Sequence, residues 1–221
     1  MDITTESRVG EIAAAHPLAT RVFARHGIDF CCGGGVPLSQ ACAKRELDAG
    51  AVVAEIEATL ADGDDAGEHW SEAPLDALVR HILADYHEPL REELPRLETM
   101  ARKVNRVHGE REPVRLPALL ETYLALEAEI SRHLADEETG LFPAILERGA
   151  SVTGAAALLD DHREVGRRLA EIRELTDDFV PPEGACNTWR ALWAGLEALE
   201  SSLHEHIHLE NNVLFPRLAA A

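Results

Sequence analysis

No stretch of this chain is apolar over the roughly 18 residues that a membrane-crossing helix needs. The start, MDITTESRVGEIAAAHPLATR, lacks the basic stretch and apolar core of a secretory signal. Basic side chains are scarce: 21 Lys and Arg stand against 40 Asp and Glu, a formal charge of −19. That balance argues against nucleic acid, whose phosphates require a basic face. Residues 1–72 carry 13 acidic and 5 basic side chains and residues 73–221 carry 27 and 16, so neither part hides a basic module. Cysteine is also sparse, four residues in all. Without a signal, these read as reduced thiols, metal ligands or redox groups and not as a disulfide framework. Runs of β-branched residues and hairpin turns are missing too, which argues against a sheet. What remains is an all-α, cytoplasmic chain with no membrane partner. Its surplus of carboxylate suits either cation binding or a well-solvated surface.

The organisation follows from punctuation. LADGDDAGEHWSEAP, rich in Asp, Gly and Glu, divides a small helical domain, residues 1–62, from a larger one, residues 73–221. In the first, SRVGEIAAAHPLATRVFARHG predicts one or two short helices ending near Gly27, placed for a C-cap. FCCGGGVP reads as a loop, Pro37 suits the first turn of the next helix, and AGAVVAEIEATLAD is a further helix. In the second, apolar residues at helical spacing predict helices from about Pro74 to Val104 and from about Pro117 to Glu147. A third is capped by Ser151, and a fourth runs from about Asn187 to Leu218. Four such helices with moderate loops predict an antiparallel four-helix bundle.

RHLADEETGLFPAI and EHIHLENNVLFPRL share a His, a Glu four residues later, and Leu-Phe-Pro after that. The shift of 73 residues lays His133 on His206, Glu137 on Glu210 and Phe142 on Phe215. Upstream, LADYHEPLREELPRL lies over LLDDHREVGRRLAEI at a shift of 75, which places His87 on His162. Each half of the bundle thus carries one His on its first helix and His-x-x-x-Glu on its second. All six residues fall on the apolar stripes. Six polar groups in a bundle core are costly unless something satisfies them, and a metal cluster does so. His204 and His208 form a rival pair, but they align with Ser131 and Ala135. His16, His26, His69, His81 and His108 have no repeat partner and default to surface or packing roles.

His and Glu at i and i+4 share a helix face, so both reach one cluster. Two ions bridged by Glu137 and Glu210, each with two of the four imidazoles, have four ligands apiece. An oxo or hydroxo bridge makes five and leaves a position for a small diatomic. Nitrogen and oxygen donors without thiolate favour iron or manganese over structural zinc. The arrangement resembles the hemerythrin-like bundle, with four repeated histidines here against five in the oxygen carriers of that family. The resemblance implies a non-haem di-iron centre, more open or more reactive.

Cys31 and Cys32 stand before a glycine-rich loop. Adjacent thiols poorly satisfy one tetrahedral metal, and a disulfide between neighbours would be strained. Just ahead of a helix N-terminus, either thiol is expected to have a lowered pKa. The pair reads either as redox thiols or as two buried thiols before a turn; Cys42 and Cys186 read as structural. Together, DFCCGGG, PPEGACNTW and HIHLENNVLFPR resemble the iron–sulfur cluster repair di-iron family, also called repair of iron centres. That resemblance implies two non-haem iron ions, oxo- or hydroxo- and carboxylate-bridged, held by His87, His133, Glu137, His162, His206 and Glu210. Cys31 and Cys32 match the family's thiol pair. The implied function is repair of iron–sulfur clusters damaged by nitrosative or oxidative stress. Iron donation and reduction of nitric oxide to nitrous oxide are its two routes. The implied partners are damaged iron–sulfur proteins and nitric oxide or oxygen, with room for a homodimer. A protein that sequesters or senses nitric oxide or oxygen without turnover is the alternative.

Overall fold

The computed structural model describes residues 2–62, 70–148 and 155–219. Among these residues there is no β-strand; a single bridge pairs Arg8 with Pro37. The chain forms two compact units. One comprises Arg80–Ala144 and Gly154–Leu203, the other Met1–Val79, Ile145–Thr153 and His204–Ala221.

Four short helices come first: α1 (Val9–Ala15), α2 (Ala19–Arg25), α3 (Leu38–Ala43) and α4 (Ala49–Asp62). The expected end near Gly27 is realised in detail. Gly27 takes φ +60°, a left-handed conformation that favours glycine, and Ile28 N–H reaches back 2.8 Å to the Phe23 carbonyl. Pro37 is the cap residue ahead of α3 and not part of its first turn. Asp48 caps α4, its Oδ1 accepting from Ala51 N–H at 2.7 Å. Ile12, Val22, Phe23, Leu38 and Ile56 are fully buried and form the centre of this unit.

The long helices that follow match the expected spans closely. The first is α5 (Leu75–His81), a π-helical turn π1 (Ile82–His87) and α6 (Glu88–His108) in one continuous run. The second is α7 (Arg115–Asp136), π2 (Glu137–Leu141) and α8 (Phe142–Arg148). The third is α9 (Ala155–Leu175); the expected cap, Ser151, lies outside the described residues. The fourth is α10 (Asn187–His208), π3 (Leu209–Leu214) and α11 (Phe215–Ala219).

Within the bundle unit α7 packs on both α6 and α9. The packing stripes alternate spacings of four and three: Leu90, Leu94, Leu97, Ala101 and Val104 on α6, with Leu119, Tyr123, Leu126 and Ile130 on α7. Each Leu, Ile or Val among them contributes about 1.5–3 kcal/mol on burial. Three polar ties fix the helices. Tyr123 donates its O–H to the Leu94 carbonyl at 2.7 Å, and Trp193 donates Nε1–H to the Thr176 carbonyl at 3.1 Å. Arg173 pairs with the buried Glu200. Gly195 lets α10 approach α6 closely: a Cβ there would stand 2.5 Å from Leu97 Cδ2.

Candidate metal centre

Three π turns interrupt the long helices, and each carries a singled-out residue. His87 ends π1, Glu137 begins π2 and Glu210 lies second in π3. Each turn is followed within two residues by a proline: Pro89, Pro143 and Pro216. Proline has no N–H for the carbonyl four residues back, and its ring crowds that carbonyl. A turn widened to the π form relieves both, and such turns concentrate at functional sites. Pro95 sits inside α6 without one, so proline permits the widened turn but does not create it. His162 lies on unbroken α9.

In the bundle unit, His87 and Glu137 are completely buried, and His133 and His162 nearly so. His87 Nδ1 lies 2.8 Å from Glu138 Oε1, and the same carboxylate pairs with Arg91. An acceptor there fixes the Nδ1–H tautomer and turns the Nε2 lone pair toward Glu137, whose Oε2 is 3.5 Å away. His133 Nε2 stands 3.4 Å from Glu137 Oε1, and its Nδ1 faces Asp161 at 3.6 Å. His162 Nε2 approaches His133 Nε2 to 2.8 Å. In the other unit, His206 Nε2 lies 3.0 Å from Glu210 Oε1, both buried.

Within the bundle unit, His133, Glu137 and His162 offer ligand atoms that all lie within 4.8 Å of one another. Glu137 turns one carboxylate oxygen to each of two histidines, Oε2 to His87 and Oε1 to His133. All six candidate ligands, His206 and Glu210 of the other unit included, are buried. Separations of 2.8–3.5 Å between donor atoms match neighbouring ligands about one ion with bonds of about 2.1 Å. The donor set, imidazole and carboxylate without thiolate, fits a harder transition ion such as iron.

His204 and His208, the rival pair, belong to no cluster of candidate ligands among the described residues. Phe30 packs edge-on against both, with centroids 6.1 and 5.5 Å away. Asn212 Nδ2 donates to His208 Nδ1 at 3.0 Å, and burial lowers the His208 pKa to about 4, which keeps the ring neutral.

The cysteine loop departs from expectation. Cys31 is buried and Cys32 half-buried, with sulfurs 3.6 Å apart. Asp29 clamps the loop: Oδ1 accepts from Cys31 N–H at 3.0 Å, and Oδ2 from Gly33 N–H at 2.9 Å. The hydrogen bond to Cys32, burial and the Asp29 carboxylate push the Cys31 thiol well above its ordinary value, so the expected lowering fails for Cys31. Two asparagines of π3 hold the loop. Asn211 donates to the Cys31 carbonyl at 3.4 Å and Asn212 to the Phe30 carbonyl at 3.1 Å. The turn that carries Glu210 thus also carries the thiol loop. Sequence reasoning singled out neither asparagine, nor Glu138; the signal for the former was the polar pair inside an otherwise apolar LENNVLF.

Two family models match separate parts of the chain. Residues 78–218 match the hemerythrin HHE cation binding domain, and residues 5–60 match a domain of unknown function, DUF542, found in the ScdA N-terminal region. The second half is thus a cation-binding hemerythrin-type bundle. Over 219 residues, 98% of each chain, the protein is 42% identical to the iron-sulfur cluster repair protein YtfE of Yersinia pseudotuberculosis. Identity to the protein of the same name from Pectobacterium atrosepticum is 42% over 214 residues, 96% of each chain. The chain belongs to the YtfE family of hemerythrin-type proteins.

Proposed function

We propose that this protein repairs iron–sulfur clusters and that its six buried His and Glu ligands hold two iron ions. The observation that carries the reading is that the two oxygens of buried Glu137 face different histidines, His87 at 3.5 Å and His133 at 3.4 Å. A carboxylate so placed would suit a bridge between two ions, and Glu210, its counterpart in the repeat and 3.0 Å from His206, would be the second. The relatives' name supplies the process, iron–sulfur cluster repair. Bound iron supplies either exchangeable ferrous ion for a damaged cluster or paired one-electron centres for nitric oxide. The chain's own contribution is to orient the imidazoles, through Glu138 for His87, and to keep both carboxylates away from water. Damaged iron–sulfur proteins are the macromolecular partners on this reading, and the compartment is the cytoplasm. No helix among the described residues is long and apolar enough to cross a membrane. The metal function resides in residues 73–221 and the thiols in residues 1–62, a division supported by the two family profiles.

The test is reactivation of an oxidatively inactivated iron–sulfur hydratase by the iron-loaded protein. Recovery of activity with stoichiometric loss of iron from the donor is the expected result. No recovery beyond that given by free ferrous salt would refute the repair reading. A parallel anaerobic single-turnover assay for nitrous oxide separates turnover of nitric oxide from its sequestration.

A further inference from the structure

In the bundle unit α6 ends at His108 and α10 begins just after Cys186, and these two residues meet. His108 Nε2 lies 3.3 Å from Cys186 Sγ, hydrogen-bond distance for sulfur. The imidazole is held in place. Its ring packs on Trp189 with centroids 4.9 Å apart, and Trp189, only 4% exposed, stands edge-on to Trp193 at 5.7 Å. Cys186 itself is exposed.

The helix start and one guanidinium place positive charge near the thiol. Cys186 immediately precedes a 22-residue helix, whose first N–H groups place positive potential at that point. Arg190, one turn further on, folds back and donates Nε–H to the Ala185 carbonyl at 3.1 Å, which brings a guanidinium to the residue before Cys186. The indole Nε1 of Trp189 is buried and makes no hydrogen bond among the described residues, so the cluster retains an unused donor. A structural surface cysteine requires none of this. The other thiols are differently placed: Cys42 is buried, and Cys31 is buried beside the Asp29 carboxylate.

We propose that Cys186 is a nucleophilic thiol, with His108 as its base, that forms a reversible mixed disulfide with an anionic low-molecular-weight disulfide. His108 Nε2 accepts the Sγ proton as sulfur attacks one sulfur atom of the disulfide RSSR. The Sγ–S bond forms, the S–S bond breaks, and the departing RS⁻ takes the proton from His108. Cys186–SH and RSSR become Cys186–S–SR and RSH: the cysteine is oxidised, the small disulfide is reduced, and no other electron donor enters. The guanidinium and the helix end select for negative charge on R.

The full-length protein and oxidised glutathione provide the test. Trypsin releases residues 174–190, ELTDDFVPPEGACNTWR, with Cys186 as the only cysteine, so the adduct is read directly by mass. Cys186 in the folded chain is expected to react about tenfold faster than the same cysteine in a synthetic 174–190 peptide, the effect of an adjacent base on thiolate fraction. His108→Gln should bring the rate down to that of the peptide while leaving far-UV circular dichroism and bound metal unchanged. Cystamine, a cationic disulfide, should react more slowly than oxidised glutathione. Equal rates for folded chain and peptide, or a His108→Gln chain that keeps the wild-type rate, would overturn the proposal; faster reaction with cystamine would overturn the anionic preference. The comparison with the peptide uses no variant and decides the matter even where His108→Gln fails to fold.

Discussion

His133 and His162, on different helices, bring their Nε2 atoms to 2.8 Å of each other. Two imidazole lone pairs cannot face each other at that distance, so a proton or a cation must lie between them. With buried Glu137 3.4 Å from His133, a cation satisfies more of the donors than one proton does. His162→Ala should therefore reduce bound iron from about two per chain to about one. Iron counted by plasma emission against protein concentration checks this, and undiminished iron would remove His162 from the ligand set.

Glu137→Ala and Glu210→Ala should each lower iron content sharply, because each deletes a buried carboxylate proposed as a bridge. His204→Ala and His208→Ala should leave it nearly unchanged. His208→Ala should still destabilise the fold by about 1–3 kcal/mol, since Phe30 and Asn212 lose a buried partner. Equal iron loss in all four variants would show that the histidine register is misassigned.

The bundle and its ligand candidates were legible because the repeat and the helical stripes express the same packing constraint. Leu126, Ile130 and His133 sit on one stripe whether they are read as letters or as coordinates. The π turns were not legible, since a widened turn leaves the apolar spacing almost intact. Only the prolines that follow them, Pro89, Pro143 and Pro216, inside otherwise unbroken apolar patterns, mark their places in the sequence. The hold of Asn211 and Asn212 on the cysteine loop depends on contacts 180 and 182 residues apart along the chain, which no local pattern encodes. The Cys31 thiol was misjudged for a related reason: proximity to a helix start was visible, while its burial beside Asp29 was not.

Pro143→Ala and Pro216→Ala restore the missing N–H and allow π2 and π3 to relax toward α-helix. Glu137 and Glu210 would then shift relative to their histidines. A fall in iron affinity of about tenfold or more is expected, the scale on which mispositioned ligands act. Competition with a ferrous chelator measures it, and an unchanged affinity in both variants would show that the π turns do not position the carboxylates.

Cys32 should be alkylated before Cys31 at neutral pH. The Cys31 value is raised, so its neutral thiol persists to higher pH, and the side chain is buried. Asp29→Asn removes a nearby negative charge and should bring the alkylation of Cys31 to lower pH. Fragment masses of the modified peptide distinguish the two positions. If Cys31 reacts first in the wild-type protein, the Asp29 clamp has been misread. Changing both cysteines to Ser should spare the metal site and abolish repair if the pair relays electrons or iron; intact repair without added thiol would reduce them to packing.

Residues 73–221 alone contain all six candidate ligands and should bind iron. They should also melt at a lower temperature than the whole chain, because Phe30 and the cysteine loop, which Asn211 and Asn212 hold, are then missing. Parallel thermal melts and iron counts test both statements; a metal-free fragment would show that the first 72 residues are needed to complete the site.

The π turns also act as rulers. In both copies of the motif, the proline follows the histidine by ten positions: Pro143 after His133 and Pro216 after His206. Each residue added to or taken from an α-helix rotates everything beyond it by about 100°. A one-residue deletion between Glu137 and Phe142 would force the widened turn to close to an ordinary α turn if Phe142 and Ile145 are to stay on their buried face. The identity of residues such as Thr139 or Gly140 is free to vary at far smaller cost to the backbone path than their number. Drift along these segments should therefore appear as substitution and almost never as a change in length.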